Sequence, residues 1–441
     1  MKDTKGIPTV SRIHFYTSAA NILKNPLPFH KRNFQKHGDT FKLKLGFGRE
    51  IIFSRDAAFA EYVLQKNQKN YKKSEIQTVD MAKYLGHGLL TAEGELWKKQ
   101  RKLIQPAFHK KQLAGLLDKV KAAVGVELAK IRTDVPMDIF PVFNDLAFQT
   151  VVKSLFSSAV GQQEIDKLQY ITEAAQKMLV KELRQPYLAW YFNWTGKIKG
   201  HLALTAEARH ILLKVIKERK KSKAQHNDLL DMLLEARYED GTAMSEEQLL
   251  DEILILFTAG HETTSNALTF TCELLARNPE VQEKIFAEIE ASKMASGGDH
   301  MQEIKNCPYT QQVVEEAMRL YPPAYFIDRV NLEDDQFEGK EYSAGSSLLF
   351  SIYEIHRHPD FWDQPDEFRP ERFSEVRTKN YFPFGAGPRK CIGNNFAMYE
   401  MVIAIAQLVS KYQISGARGE IEIEPLITLK PKNAILKFSA R

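Results

Sequence analysis

Apolar residues recur every three or four positions through most of the chain, from 57 to 307, in long segments broken where proline, glycine and polar residues cluster. This spacing predicts amphipathic helices. Residues 36–56 instead alternate short apolar stretches with Gly-Asp and Gly-Phe-Gly turns, which predicts a small antiparallel hairpin. Strand-like pieces return at 337–352 and 420–438. The pattern therefore predicts a mainly α fold with small β-sheets, in one large domain.

The most distinctive predicted helix opens with Ser245 and Gln248 in capping-box spacing and runs to about residue 277, where an Asn-Pro pair stops it. Its middle reads Ala-Gly-His-Glu-Thr-Thr at 259–264, so a glycine, an acid and two hydroxyls interrupt an otherwise apolar helix. Each of these residues costs helix or burial free energy, which points to a functional site. The equally weighted alternative is a kinked core helix in which Glu262 reaches solvent.

Composition excludes several other classes of protein. Of the 441 residues, 44% are hydrophobic and 27% are charged, as in soluble globular proteins, which excludes collagen-like, coiled-coil and disordered chains. The formal net charge of +5 is small for a nucleic-acid binder. No apolar run approaches the ~18 residues of a membrane span, so we expect neither a membrane nor a nucleic-acid partner. An odd number of cysteines without a secretory signal favours a reducing compartment, and we expect a soluble, cytoplasmic protein.

A glycine-rich loop near the C-terminus holds a single cysteine. The segment 384–393 reads Phe-Gly-Ala-Gly-Pro-Arg-Lys-Cys-Ile-Gly, and helical spacing follows from Asn394. A helix N-terminus, neighbouring cations and approaching backbone N–H groups would stabilise the Cys391 thiolate. No second Cys or His lies at zinc-ligand spacing. The residues alone leave two alternatives, a haem axial ligand and a catalytic nucleophile with a nearby His base.

The loop resembles the F-x-x-G-x-R-x-C-x-G signature of the cytochrome P-450 family, and the helix hexapeptide resembles the family's A/G-G-x-D/E-T-T/S motif. The fixed positions of the signature fall at Phe384, Gly387, Arg389, Cys391 and Gly393. The resemblance is to soluble bacterial members and covers the chain from about residue 25 onward. It implies one cytochrome P-450 domain over 1–441, with an irregular segment at 1–24 and the long helix passing over the haem.

The resemblance also assigns roles to individual residues. It implies haem b, with Cys391 as the axial ligand of the iron and haem contacts at Phe384, Gly385, Gly393 and Ala259. The haem carboxylates would be held by cations and an indole, since a guanidinium fork suits carboxylates; these residues are Trp97, Arg101, Arg329 and Arg389. The E-x-x-R spacing and a P-E-R-F segment imply a buried ion network that supports the cysteine loop, formed by Glu316, Arg319 and Arg372.

The activity implied is that of a haem-thiolate monooxygenase, which inserts one oxygen atom from O2 into a C–H bond. Thr263 and Glu262 are the expected catalytic residues, because an alcohol linked to an acid can deliver protons. A haem gas sensor is the alternative from a non-enzyme class. We expect a monomer that takes electrons from NAD(P)H through a ferredoxin and a ferredoxin reductase. An acidic ferredoxin needs a positive docking face, expected at Lys98, Lys99, Lys102, Lys110, Lys111 and Lys390.

The substrate depends on segments that the resemblance places around the pocket, at 72–89, 324–328 and 427–428. Polar residues there suit an oxygenated substrate, including Lys72, Lys73, Glu75, Gln77 and Asp80. The first hypothesis is hydroxylation or O-demethylation of a small molecule such as the methylated sugar 6-O-methyl-D-galactose. Fatty-acid or terpenoid hydroxylation is the alternative, because these charges can point outward. The expected substrate contacts are Tyr325, Phe326, Asp328 and Thr428.

Overall fold

The computed structural model describes residues 6–46, 49–157, 160–222, 225–296, 299–374 and 379–441. Residue contacts divide the chain into two units. The first unit comprises Met1–Ser74, Gln312–Ile392 and Glu420–Asn433, and the second comprises Glu75–Gln311, Gly393–Gly419 and Ala434–Arg441.

Helices dominate the described chain. They are α1 Arg12–Lys24, α2 Leu27–His37, α3 Ala57–Glu61, α4 Ala82–Leu85, α5 Gly94–Ile104, α6 Lys110–Ala114, α7 Leu117–Leu128, α8 Phe140–Phe156, α9 Gln162–Arg184, α10 Ala189–Trp194, α11 Lys197–Lys221, α12 Leu229–Glu235, α13 Glu246–Arg277, α14 Pro279–Ser296, α15 His300–Lys305, α16 Pro308–Leu320, α17 Ile352–Ile355 and α18 Asn394–Lys411. In the part of the chain that the structure covers, we find no helix with the length and apolar character needed to cross a membrane.

Short strands accompany the helices. They are β1 Thr9–Val10, β2 Thr40–Gly46, β3 Arg49–Ser54, β4 Tyr71–Lys72, β5 Pro136–Asp138, β6 Phe326–Asn331, β7 Asp335–Phe337, β8 Lys340–Tyr342, β9 Ser347–Ser351, β10 Tyr412–Ser415, β11 Glu422–Pro425, β12 Leu429–Lys432 and β13 Ile435–Ala440. The predicted class, mainly α with small β-sheets, is therefore confirmed.

The first unit contains a six-stranded sheet with the order β1-β2-β3-β9-β6-β4. Strands β2 and β3 pair antiparallel, with Phe41 opposite Phe53, which confirms the hairpin predicted at 36–56. Residues 47–48 of its Gly-Phe-Gly turn lie outside the described residues. The hairpins β7–β8 and β11–β12 belong to the same unit, whereas β10, β13 and β5 form a small sheet in the second unit. The strands β7 to β9 and β11 to β13 confirm the strand-like pieces predicted at 337–352 and 420–438.

The N-terminal segment 1–24 corrects one expectation, since it was expected to be irregular. Residues 1–5 lie outside the described residues, but β1 and α1 occupy most of the rest. Val10 is buried, and Phe15 and Ile22 of α1 pack against an aromatic cluster that includes Phe34. Two apolar residues seven positions apart lie on one helix face, and their burial stabilises a helix whose sequence alone is weakly amphipathic.

Helix α13 is the predicted long helix. It contains 32 residues and is about 48 Å long. The Ser245 hydroxyl accepts the Gln248 backbone N–H over 3.1 Å and caps it as predicted. In its middle, a Cβ atom at Gly260 would lie 2.9 Å from a methyl group of Val151 on α8. Glycine at this position therefore permits the close approach of the two helices.

A carboxylic acid is buried in the second unit. Glu400 on α18 is 1% exposed, and the polar side chain that acts on it is Thr150 of α8. The Thr150 hydroxyl already donates to the Leu146 carbonyl, so it compensates the carboxyl group only weakly. Burial raises the pKa of Glu400 to about 8. The acid is therefore protonated at neutral pH in the folded protein.

We expect Glu400→Gln to stabilise the protein at alkaline pH. Between the ordinary pKa of 4.5 and the folded-state pKa of about 8, the folded chain holds a proton that the unfolded chain has released. The free energy of unfolding of the wild type therefore falls by about 1.4 kcal/mol per pH unit as the pH rises through this window. The glutamine variant lacks this contribution. Urea unfolding across the window measures the difference.

The matched control is Glu247→Gln, at an exposed position on α13. This variant should keep the pH dependence of the wild type, because it leaves Glu400 unchanged. The same pH slope in wild type and Glu400→Gln would contradict the assignment.

Candidate functional site

Cys391 closes a tight loop in the first unit. Its backbone N–H donates to the Phe384 carbonyl over 2.9 Å. Cys391 is exposed, whereas the chain's other two cysteines, Cys272 and Cys307, are buried. Burial raises the thiol pKa of both buried cysteines. Cys391 is therefore the cysteine best placed to act as a thiolate ligand.

Gly387 fixes how this loop packs. Its φ of +67° lies in the left-handed region, and a Cβ atom there would lie 1.9 Å from the Leu64 carbonyl oxygen. No side chain fits in that space. The loop therefore lies directly against the backbone at Leu64, which explains why glycine stands four residues before Cys391.

Two of the predicted cations lie near this loop in the first unit. A Cβ atom at Gly385 would lie 3.6 Å from the Ile327 side chain, so the loop packs on β6. Arg329 is two residues further along β6 and therefore shares the face of Ile327. Its side chain is 8% exposed, and it donates to the Asp328 carbonyl over 2.6 Å. Arg389 is half-buried within the loop itself. The structure thus brings Arg329 and Arg389 to the same region.

Glu316 and Arg319 form a fully buried ion pair on α16. The Arg319 Nε and Nη2 atoms donate to the two carboxylate oxygens over 2.7 and 2.9 Å, and both side chains are 0% exposed. Arg372 adds a third contact of 3.2 Å from its Nε to the Glu316 carboxylate. The three residues expected to form an ion network thus lie in contact.

The remaining donors of Arg319 bind backbone carbonyls. They donate to the carbonyls of His356, Pro365 and Glu367 over 2.8, 2.7 and 3.0 Å. The guanidinium also lies 5.0 Å from the centre of the Trp362 ring. A buried cation is tolerated only when its donors are satisfied, and these bonds hold two separate stretches of backbone around Arg319, at His356 and at 365–367.

His356 connects this network to the cysteine loop, and the sequence analysis missed it. Its Nε2 accepts the Phe382 backbone N–H over 2.8 Å, and the Phe382 carbonyl accepts the N–H of Gly385 over 3.0 Å. Burial lowers the pKa of His356 well below its usual value, and the charge of Arg319 acts in the same direction. The imidazole is therefore neutral and can accept. A histidine inside the apolar segment that follows β9 was the signal available in the sequence.

In the second unit, the middle of α13 exposes a narrow stripe. Ala259 is exposed, and Leu256, Gly260 and Thr263 are partly exposed, whereas most neighbouring residues on α13 are buried. Spacings of three and four place these residues on one helix face. The Thr263 hydroxyl donates to the Ala259 carbonyl over 2.8 Å. Glu262 beside it is half-buried.

His261 of the hexapeptide has a side chain that can bind a metal, but this side chain points into the core. His261 is 1% exposed, its Nδ1 lies 2.6 Å from the Phe257 carbonyl, and its ring meets Phe148 edge-on at 5.3 Å. These are the contacts of a packed core histidine. His261 therefore lies outside the open stripe, which contains Ala259 and Thr263.

Three further predicted haem contacts lie in the second unit. Trp97 is buried on α5, and Arg101, one turn later, donates from Nε to the Gln105 side chain over 3.1 Å. Gly393 stands at the N-terminus of α18, where its carbonyl accepts the Ala397 N–H over 2.9 Å. Helix α18 therefore begins three residues after Cys391, with Gly393 as its N-cap.

These features fit a haem group. Cys391 offers an exposed thiol on a loop whose backbone is fixed, as an axial ligand requires. Arg329 offers a buried cation on the face that packs against the loop, which suits a carboxylate. In the second unit, the stripe at Ala259 is open although most of the neighbouring residues on α13 are buried. Cys391 supplies a soft sulfur ligand, and Arg329 and Arg389 supply cations. These side chains match the haem group that the motifs imply.

The predicted substrate residues are engaged within the first unit. The Tyr325 hydroxyl donates to the Leu426 carbonyl over 2.7 Å, and the Asp328 carboxylate accepts the Ser74 N–H over 3.2 Å. The Phe326 ring packs with the rings of His30 and Phe53. Their contact with a substrate stays a prediction.

The remaining polar positions divide between surface and interior. Thr428 is 9% exposed in the turn between β11 and β12, where its carbonyl accepts the Leu426 N–H. Lys72 and Glu75 are exposed, Lys73 is buried, and Gln77 and Asp80 are half-buried. Tyr325 and Thr428 are brought together through Leu426.

Comparisons with known proteins agree with these features. The cytochrome P-450 family model matches residues 6–438. The chain is 29% identical over 409 residues to cyclooctat-9-en-7-ol 5-monooxygenase of Streptomyces melanosporofaciens, which covers 90% of this chain and 87% of that protein. It is 25% identical over 431 residues to pentalenene oxygenase of Streptomyces avermitilis, covering 96% and 95%. A solved structure of a retinoic acid-bound cyanobacterial CYP120A1 matches with a TM-score of 0.82 and 25% identity over 96% of each chain.

We expect Arg319→Ala to lower the free energy of unfolding by about 3–5 kcal/mol, or to prevent folding, because it leaves the Glu316 carboxylate buried with much of its compensation lost. Urea unfolding of purified protein measures the change. Replacing both partners, with Glu316→Leu and Arg319→Met together, should cost less than Arg319→Ala alone.

The control is Arg369→Ala, whose ion pair with Asp363 is largely exposed. This change should cost within about 1 kcal/mol. An Arg319→Ala protein as stable as the Arg369→Ala protein would show that the buried pair does not hold the first unit together.

Proposed function

This chain belongs to the cytochrome P-450 family of monooxygenases, and we propose that it hydroxylates an apolar, terpenoid-like substrate. The family predicted from the two motifs is thus confirmed. The observation that carries the substrate class is that the Tyr325 hydroxyl and the Asp328 carboxylate are bonded to the protein's own backbone, while Lys72 and Glu75 are exposed.

Haem b is the cofactor that the family implies, and the residues that would hold it are those described above. The Cys391 thiolate would ligate the iron, and Arg329 and Arg389 would bind its carboxylates, joined by Trp97 and Arg101. Phe384, Gly385, Gly393 and Ala259 would contact its ring. When bound, haem supplies the redox chemistry that activates O2.

Thr263 and Glu262 would act on protons. Because the Thr263 hydroxyl donates its hydrogen to the Ala259 carbonyl, its lone pairs face outward and can accept a hydrogen bond from a water molecule on the open stripe. Such a water is held in place by the helix itself. Glu262, half-buried and next in the chain, can exchange protons with solvent and pass them on to that water.

The substrate proposal follows from hydrogen-bonding capacity. Tyr325 has one hydroxyl hydrogen, which the Leu426 carbonyl accepts, and Asp328 accepts a backbone N–H. Lys72 and Glu75 are exposed. A sugar would need several unengaged polar partners. Two relatives are named for acting on cyclooctat-9-en-7-ol and on pentalenene, and we extend that apolar, polycyclic class to this chain.

For electron supply we propose an acidic ferredoxin and its reductase, with NAD(P)H as the source. All six predicted docking lysines are exposed. Lys98 and Lys102 are paired with Glu95 and Glu239, so the positive potential in the second unit rests mainly on Lys99, Lys110 and Lys111. We further propose a cytoplasmic monomer.

A spectral titration of the haem-loaded protein tests the substrate class. We expect pentalenene and cyclooctat-9-en-7-ol to shift the main haem absorption band, because an apolar molecule that enters the site displaces water from it. 6-O-methyl-D-galactose should cause no shift. A shift with the sugar alone, or with a long-chain fatty acid alone, would overturn the terpenoid class.

Two cysteine variants test whether Cys391 is the ligand of the haem iron. Cys391→Ser should lose the long-wavelength band of the reduced carbon monoxide complex, whereas Cys307→Ser should keep it. A wild-type chain that takes up no haem would overturn the monooxygenase proposal. Haem uptake without reductase-dependent turnover of any compound would favour the gas-sensor alternative.

We expect Thr263→Ala to bind haem and substrate normally but to form less product per NAD(P)H consumed and to release more hydrogen peroxide. Without the Thr263 oxygen, the water that delivers protons is no longer held in place. A several-fold drop in coupling is the expected size, measured as product and peroxide per NAD(P)H.

Thr258→Ala is the matched control. Thr258 lies on the same helix and makes the same kind of bond, to the Leu254 carbonyl over 3.0 Å, but its side chain is buried. Coupling should be unchanged in this variant. Equal coupling in wild type and Thr263→Ala would rule out the proton-delivery role.

A further inference from the structure

Two buried acids on α13 bind the backbone of a loop in the second unit. The loop comprises residues 86–91 between α4 and α5. Asp251 accepts the His87 N–H over 2.7 Å, and Glu252 accepts the Leu89 N–H over 2.9 Å. Asp251 is 6% exposed and Glu252 is 1% exposed. Hydrogen bonds to an ionised carboxylate are stronger than neutral ones, and burial strengthens them further.

The glycines of the 86–91 loop are required by this contact. A Cβ atom at Gly86 would lie 2.1 Å from the Asp251 carboxylate, and Gly86 also has a φ of +78°. A Cβ atom at Gly88 would lie 2.9 Å from the Glu252 carboxylate. The loop therefore approaches α13 as closely as backbone can, which only glycine permits.

Further side chains reinforce the attachment. Arg209 of α11 donates to the second oxygen of Asp251, so this carboxylate joins the 86–91 loop, α11 and α13. The Gln248 side chain donates to the His87 carbonyl over 3.0 Å and contacts Glu252. The Thr91 hydroxyl closes the loop on the Gly86 carbonyl over 2.6 Å.

We propose that Asp251 and Glu252 are positioning residues that fix the 86–91 loop, which overlaps the segment 72–89 expected around the pocket, at a set distance from Thr263. Thr263 lies on the same helix, twelve positions after Asp251, or about 18 Å along its axis. A continuous helix is stiff, so a loop attached at one point keeps its distance from a side chain further along. The proposal rests on the proposed function, because the placement of 72–89 around a substrate pocket is an expectation for a cytochrome P-450.

The consequence for an apolar substrate is selectivity by shape. Such a substrate has few hydrogen bonds to orient it, so its position depends on the walls that surround it. A loop held by two charge-assisted hydrogen bonds is a fixed wall. Releasing it should weaken binding and should leave haem loading unchanged.

The test compares Asp251→Ala and Glu252→Ala with the wild type in the haem-loaded protein. Amide hydrogen exchange of the peptide covering 84–92 should become about tenfold faster, because a buried charge-assisted bond is lost. The dissociation constant of 4-phenylimidazole, a small haem-iron ligand, should rise by a similar factor. The carbon monoxide band should be unchanged. Asp251→Asn, which keeps an acceptor oxygen for His87, should restore most of the protection.

Glu247→Gln is the control, since this acid lies on the same helix but is exposed; it should change neither readout. If the alanine variants do not fold, Arg209→Leu replaces them, because Arg209 is partly exposed and binds only the outer oxygen of Asp251. Unchanged exchange would overturn the anchoring. Faster exchange with unchanged affinity would overturn the positioning role. A wild-type chain without haem would instead overturn the proposed function, while the exchange comparison would still decide the anchoring.

Discussion

The buried pair of Glu316 and Arg319 is the interaction on which the first unit depends. Removing two charges from water costs more than their attraction returns, unless every remaining donor and acceptor is also bonded. Arg319 meets this condition with three backbone carbonyls, and Glu316 with Arg372 and the Arg369 N–H. The pair can exist only if those stretches of chain lie in one arrangement. It therefore specifies backbone positions, including that of His356, which carries the effect to Phe382 and the cysteine loop.

Helix α13 has a comparable role in the second unit, by a different physical means. Its length supplies stiffness, and residues with separate tasks lie at separate points along it. Gly260 admits α8, Ala259 and Thr263 leave one stripe open, and the acids at its start hold a loop. Each departure from an ideal helix sequence thus has its own cause. Gly260 allows α8 to pack closely against α13, although it lies inside the hexapeptide 259–264 that suggests a catalytic site.

Much of this could be predicted from sequence because the signals were local. The long helix, its cap, the β2–β3 hairpin and the cysteine loop each follow from patterns within a few turns of chain. The contacts that could not be predicted join distant segments. His356 meets Phe382, and the loop at His87 meets Asp251 more than 160 residues away. Helix α1 was also missed, because its burial against an aromatic cluster, and not its own pattern, stabilises it.

The polar residues of the pocket segments show why side-chain type is a weak guide to substrate. A hydroxyl or carboxylate in the sequence counts as a possible ligand for a polar substrate, but each has a limited number of hydrogen bonds. Once Tyr325 donates to Leu426 and Asp328 accepts from Ser74, part of that capacity is used to fix the fold. Polar residues in the walls of a site are therefore compatible with an apolar substrate, because some of their hydrogen bonds make the walls rigid and are not directed at the substrate.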